Sequence, residues 1–201
     1  MAGLRERKKR ATRIAIRDAA MRLFADHGFA GTTMDQIAEA ADVSRATVFT
    51  YFPTKEEIVH GEGSAAVADF AARLRERPPD VSTIEMVRAF LEALTGWFEP
   101  GLVLQQRLAR EVPAVGARRL QLYGEVETAV ASSLEVELGA GQELAARLAA
   151  TALVGALRVA EETVAARMEE QGGELSSAEV TALLDGAVAF AEAGIAAISS
   201  R

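Results

Sequence analysis

Apolar residues recur at three- and four-residue intervals along nearly the whole chain, and no stretch alternates apolar with polar as a half-buried strand would. Start and stop signals cut this pattern into pieces. Thr33-x-x-Gln36, Thr54-x-x-Glu57, Ser82-x-x-Glu85 and Ser176-x-x-Glu179 each match a capping box. The last two also carry apolar pairs at staple positions, Val81 with Met86 and Leu175 with Val180. Ends are marked by Gly28, Pro78-Pro79, Pro100-Gly101, Pro113, Gly139 to Gly141 and Gly172-Gly173. The signals predict about nine helices, at 9–27, 34–40, 45–51, 55–77, 83–98, 102–111, 114–138, 142–170 and 177–199, and an all-α fold. The first three are short and closely joined. They predict a head over 1–57, with a larger helical body over 58–201.

Within the head, residues 33–52 read TMDQIAEAADVSRATVFTYF. A helix from Met34 to Ala40 places Met34, Ile37, Ala38 and Ala41 on one face. Ala41-Asp42-Val43-Ser44 turn the chain, with Ser44 positioned as an N-cap. The next helix exposes Arg45, Ala46, Thr47, Thr50 and Tyr51, while Val48 and Phe52 face inward. Packed on a longer helix that offers Ile16, Ala19, Ala20, Leu23 and Phe24, the pair makes a helix-turn-helix. Small and polar side chains at the start of its second helix let the backbone approach a DNA major groove.

Charge sharpens this picture. The net charge of -7 is the sum of opposites: residues 1–60 carry +2 and residues 61–201 carry -9. The positive charge is densest in Arg5, Arg7, Lys8, Lys9, Arg10, Arg13, Arg17 and Arg22, so one end of the molecule points at a polyanion. The tail from Arg5 to Arg10 can enter a minor groove or simply add phosphate attraction. Cysteine is absent, which excludes disulfides, thiolate metal ligands and thiol nucleophiles. No apolar run approaches 18 residues, and no apolar core follows the basic N-terminus. The expectation is a cytoplasmic protein with no membrane partner.

The stretch RIAIRDAAMRLFADHGFAGTTMDQIAEAADVSRATVFTYFPTKEEIV, residues 13–59, resembles the DNA-binding head of the TetR family of bacterial regulators. The resemblance is carried by Ala19-Ala20, Leu23-Phe24, Gly28, Thr33, Ile37-Ala38, Val43-Ser44, Thr47, Tyr51-Phe52 and the Phe-Pro-Thr-Lys-Glu-Glu run to Glu57. It implies that Thr33 caps the second helix and touches a phosphate. Arg45, Ala46 and Thr47 would reach base edges, Tyr51 and Lys55 would bind phosphates, and Ser44, Phe49 and Thr50 would complete the DNA-facing set. Arginine's fork matches guanine O6 and N7, so Arg45 is the leading base reader. Three positions depart from the family pattern. Asp42 stands where glycine is common, Phe49 where tyrosine is frequent, and Arg17 where leucine is usual. Aspartate tolerates a left-handed backbone, so the turn is expected to survive.

The resemblance also implies a ligand-responsive repressor that binds a palindromic double-stranded operator as a homodimer, joined through its last two helices. Those helices are rich in small apolar residues, Ala145, Ala149, Ala152, Gly155, Ala156 and Ala160, then Ala187, Ala191 and Gly194. Larger apolar residues recur among them, and together they offer more apolar surface than one face can bury. Candidates to line a small-molecule site are the aromatic residues Phe70, Phe90, Trp97, Phe98 and Tyr123, with Arg107, Arg158 and Glu161. The effector expected is a small molecule, hydrophobic or acyl-coenzyme-A-like, the latter on a faint resemblance of residues 54–62. The fourth helix would join head to body, with Gly61 and Gly63 marking a point of bending. The competing reading is a small-molecule-binding helical protein, or an enzyme, whose DNA head is secondary. Against an enzyme stand the two histidines, His27 and His60, and the lack of HExxH, GxSxG, GxGxxG or GxxxxGK motifs. No catalytic residue, metal ligand or cofactor is expected.

Overall fold

The computed structural model describes residues 2–95, 101–172 and 175–199. Among them are ten helices and no strand. The chain gathers into two units, one of residues up to Ser64 with Arg107–Arg119, the other of Ala65–Gln106 with the residues from Leu120 onward.

In the first unit, α1 (Ala2–Gly31), α2 (Met34–Ala40), α3 (Arg45–Tyr51) and α4 (Lys55–Val59) enclose Ile16, Ala19, Ala20, Phe24, Ile37, Ala38, Val48, Phe52, Ile58 and Val59. The inward set predicted for α1 to α3 is therefore largely the core, except that Leu23, Met34 and Ala41 are half-buried. Gly28 breaks α1 with a φ of 74°. The predicted capping box at the start of α2 is complete. Gln36 N–H donates to Thr33 Oγ1 at 3.2 Å, and Thr33 N–H donates to Gln36 Oε1 at 2.8 Å. Between α2 and α3, Asp42 takes a left-handed φ of 53°. Its N–H reaches Glu39 O at 3.1 Å, and Val43 N–H reaches Ala38 O at 3.0 Å. These paired bonds are a Schellman turn, with aspartate in the place that glycine usually takes.

Two predicted bounds change. The basic Arg5 to Arg10 segment, expected as a tail, is helical, because α1 begins at Ala2. The single helix expected over 55–77 is divided at His60, where φ and ψ are −101° and 9°, into α4 and α5 (Gly61–Arg75). The helical period continues through this break, which is why apolar spacing does not reveal it. Thr54 still caps α4, accepting from Glu57 N–H at 3.3 Å. The Glu57 carboxylate, however, does not return to the cap. It pairs with Arg118 at 2.7 Å.

The second unit takes in most of α5, with α6 (Thr83–Thr95), the start of α7 (Gly101–Glu111), most of α8 (Pro113–Leu138), α9 (Glu143–Gln171) and α10 (Ser177–Ser199). Its core includes Phe70, Leu74, Val87, Leu91, Val130, Leu134, Leu153, Val164 and Val188. Alanines 146, 149, 150, 187 and 191 are also buried, so α10 lies close along α9. Arg88 ties α6 to α10 through Asp185 at 3.5 Å and Glu192 at 2.8 Å. Ser82 with Glu85 and Ser176 with Glu179 form the predicted reciprocal caps. Hydrogen bonds from those serines hold both carboxyls below the usual glutamate range.

Candidate nucleic-acid interface

The second helix of the helix-turn-helix, α3, is held from both ends. Ser44 Oγ accepts from Thr47 N–H at 3.1 Å, and the two hydroxyl groups lie 2.7 Å apart. Val48 and Phe52, 0% and 1% exposed, fix the inner face. Their spacing turns Arg45, Ala46, Phe49 and Thr50 outward, with Thr47 and Tyr51 half-exposed. Seven of the residues expected to face DNA, Ser44 to Thr47 and Phe49 to Tyr51, therefore share one cap and one short helix; Thr33 lies exposed at the start of α2. Thr50 spends its hydroxyl proton on Ala46 O at 2.8 Å.

Two cations of the head have structural work that sequence reasoning missed. Lys55 Nζ donates to Phe29 O at 2.6 Å and Thr32 O at 2.7 Å, and it stands 4.5 Å from the Phe29 ring centroid. It thus satisfies carbonyls where α1 ends and steadies the link to the Thr33 cap. Arg13 lies over the Phe52 ring at 4.5 Å and donates to Gly61 O at 2.6 Å and Tyr51 O at 3.4 Å. Both interactions join residues 23 or more positions apart, mostly through backbone oxygens, which leave no mark in sequence. Of the basic set, Arg7, Lys8, Lys9, Arg10 and Arg22 are exposed, while the Arg17 side chain is 18% exposed and the Arg5 side chain lies outside the described residues.

Arg45 has a partner on the exposed face. Its Nη1 donates to Asp35 Oδ2 at 3.1 Å, with both side chains 63% exposed. Its guanidinium also stands 5.4 Å from the Phe49 ring centroid, one helical turn along. On the inner side of the same unit, His60 is buried and its Nε2 donates to Val115 O at 3.1 Å. Burial, with lesser contributions from Arg118 and Arg119, holds this imidazole below its ordinary pKa.

Of the residues expected to line an effector site, two pairs meet within the second unit. Phe70 and Phe90 stack at 4.2 Å, Phe70 being buried in the core of the second unit. Tyr123 donates to Glu161 at 2.6 Å. Arg158 is exposed on α9, 3.9 Å from Glu162 one turn along. Arg107 is also exposed, and it clusters with the head unit. Trp97 and Phe98 lie outside the described residues. Residue type and helical period do not say which side of a packed helix a polar residue takes.

Residues 16–61 match the family model for bacterial regulatory proteins of the tetR family. The transcriptional regulator TcmR of Streptomyces glaucescens is 31% identical over 146 residues, which is 68% of this chain and 65% of that protein, just under two thirds of its length. Among solved structures, the fatty acid degradation regulator FadR of Bacillus halodurans superposes with a TM-score of 0.57 at 20% identity, covering 88% of this chain and 96% of that one. FadR of Bacillus subtilis, solved with stearoyl-CoA, gives 0.54 at 18% identity, covering 90% and 98%. The capped helix-turn-helix, its buried and exposed faces and these matches agree, and the chain belongs to the TetR family of bacterial regulatory proteins.

Proposed function

We propose that this chain is a sequence-specific DNA-binding transcriptional regulator, a cytoplasmic, ligand-responsive repressor that binds a palindromic operator as a homodimer. The observation that carries the reading is α3, a short helix capped at its start and anchored by two fully buried side chains, which presents Arg45 and small neighbours outward. Residues 1–57 serve as the DNA-binding head and 58–201 as the sensing and dimerising body.

Dimerisation is supported by apolar surface that α9 and α10 leave uncovered. Leu144, Leu148 and Val159 on α9 and Phe190 on α10 are 52–70% exposed, and Gly186, Ala189 and Gly194 lie exposed near Phe190 along α10. Large apolar side chains in such density favour a protein partner, and a second copy would place two recognition helices on successive major grooves. An effector has room in an open groove of about 950 Å³ along α5 and α8, where Val67, Ala71, Leu74 and Ala129 meet Arg75 and Ser132. Apolar side chains beside Arg75 and Arg77, with Glu125 the one carboxylate among the described lining residues, suit a hydrophobic or acyl-CoA-like molecule, and the stearoyl-CoA held by the FadR neighbour supports that chemistry.

Selection of bound duplexes from a random pool tests the reading. The expected product is a palindrome with half-site centres about 34–36 Å apart. Stearoyl-CoA, the probe effector, is expected to reduce binding to it by about 5–150-fold. Enrichment of no sequence would overturn the proposal.

A further inference from the structure

Asp35 is a carboxylate placed where a DNA-binding face would be expected to avoid one. It lies in the first turn of α2, and 63% of its side chain is exposed. Its partner among the described residues is the leading base reader: Oδ2 accepts from Arg45 Nη1 at 3.1 Å, while Phe49 offers its ring to the same guanidinium. Arginine carries five N–H donors in a rigid planar fork. With Nη1 engaged, the Nε and Nη2 edge has no bond to any of the described residues, and that edge matches the paired acceptors O6 and N7 of guanine.

Resting on the reading of the head as a sequence-specific DNA binder, we infer that Asp35 is a specificity-determining, positioning residue. An unpartnered arginine is drawn to any phosphate, and phosphate contacts carry no sequence information. A carboxylate 3.1 Å from the guanidinium offsets much of its charge and repels phosphate. The base edge is uncharged, so its two hydrogen bonds lose less. Asp35 and the Phe49 ring also restrict the fork to one region of space, which lowers the ordering cost of the productive contact. Asp35 thus weakens attachment to DNA in general more than attachment to the operator.

The test uses the full chain and its Asp35→Asn variant, which keeps the shape and removes the charge. Duplexes are selected from a random pool with each protein. Affinities for the selected duplex and a scrambled one are then measured across a salt series. For Asp35→Asn, binding to scrambled DNA should tighten about two- to fivefold, the scale of one exposed ion pair. Preference at one base position per half-site should fall by a similar factor, and the salt slope should steepen by up to about 0.9, one added phosphate contact. Asp35→Glu should recover part of the preference. In an Arg45→Ala background, Asp35→Asn should no longer alter base preference. If Asp35 only stabilised α2 by its place in the first turn, Asp35→Asn would weaken both duplexes alike, and that result overturns the inference. So does an unchanged preference. A wild-type protein that selects no sequence removes the regulator reading itself, a failure distinct from either.

Discussion

Gly61 and Gly63 lie two residues apart, and replacing each by alanine should move stability in opposite directions. Alanine is favoured over glycine in a helix by about 0.5–1 kcal/mol, so helix propensity alone makes both changes stabilising. A methyl group at Gly63 would meet nothing within 4 Å. At Gly61 it would stand 3.0 Å from Phe52 Cζ and nearer still to Cε1, inside the 3.5–4.0 Å of ordinary carbon contact. The ring has little freedom to move away. Phe52 is 1% exposed, and Arg13 lies over it while its Nη2 holds Gly61 O at 2.6 Å. Overpacking a fixed site costs about 1–3 kcal/mol. After the helix gain is subtracted, Gly61→Ala should destabilise by up to about 2.5 kcal/mol, and Gly63→Ala should stabilise by about 0.5–1 kcal/mol. For a chain of this size each kcal/mol moves the melting temperature by about 2–4 °C. Thermal unfolding followed by circular dichroism should therefore show Gly61→Ala below the wild type and Gly63→Ala above it. A Gly61→Ala protein stabilised to the same extent as Gly63→Ala would refute this account.

Four further outcomes follow from the same contacts. Arg45→Ala should cost roughly 1–3 kcal/mol on the selected operator and relax preference at one base position; equal loss on random DNA would remove Arg45 from base readout. Phe190→Glu, at a position 67% exposed, should yield a folded monomer by sedimentation, whereas Ala191 is 1% exposed within its own subunit and a charge there would strike the fold; a wild type already monomeric at micromolar concentration would sink the dimer. Lys55→Met should lower the stability of the head by about 1–2 kcal/mol even without DNA, because two carbonyls lose a cationic donor; unchanged protection of the α1–α2 amides in hydrogen exchange would contradict that. His60 has a lowered pKa in the fold, so the unfolded chain binds more protons as pH falls below the ordinary value of 6.5. Head stability should be full above that pH and decline on acidification, with His60→Gln flattening the curve; a His60→Gln protein with the same acid sensitivity would assign the effect elsewhere.

What the sequence makes legible is what depends on near neighbours. Thr33 with Gln36, Ser82 with Glu85 and Ser176 with Glu179 are three residues apart, and each pair forms its cap as expected. Val48 and Phe52 are read inward from a four-residue period, and the left-handed Asp42 from the tolerance of its side chain. Long-range pairings are not legible. Nothing local tells that Lys55 will seek the carbonyls of Phe29 and Thr32, or that His60 will meet Val115, 55 residues away. The body defeats periodicity for a different reason. Its helices are apolar on more than one side, so the exposure of Arg158 and the burial of Ala191 are set by neighbouring helices rather than by their own repeat.

The first unit is discontinuous in the chain, and that bears on how such regulators can be recombined. Glu57 is paired with Arg118, Ser64 accepts from Arg118 at 3.3 Å, and His60 donates to Val115, so the segment Arg107–Arg119 closes over the end of α4. A chimera that transplants only the N-terminal stretch onto a foreign sensor leaves a carboxylate and an imidazole without these partners. The portable part is a set of two segments, residues up to 64 and residues 107–119, to be kept together.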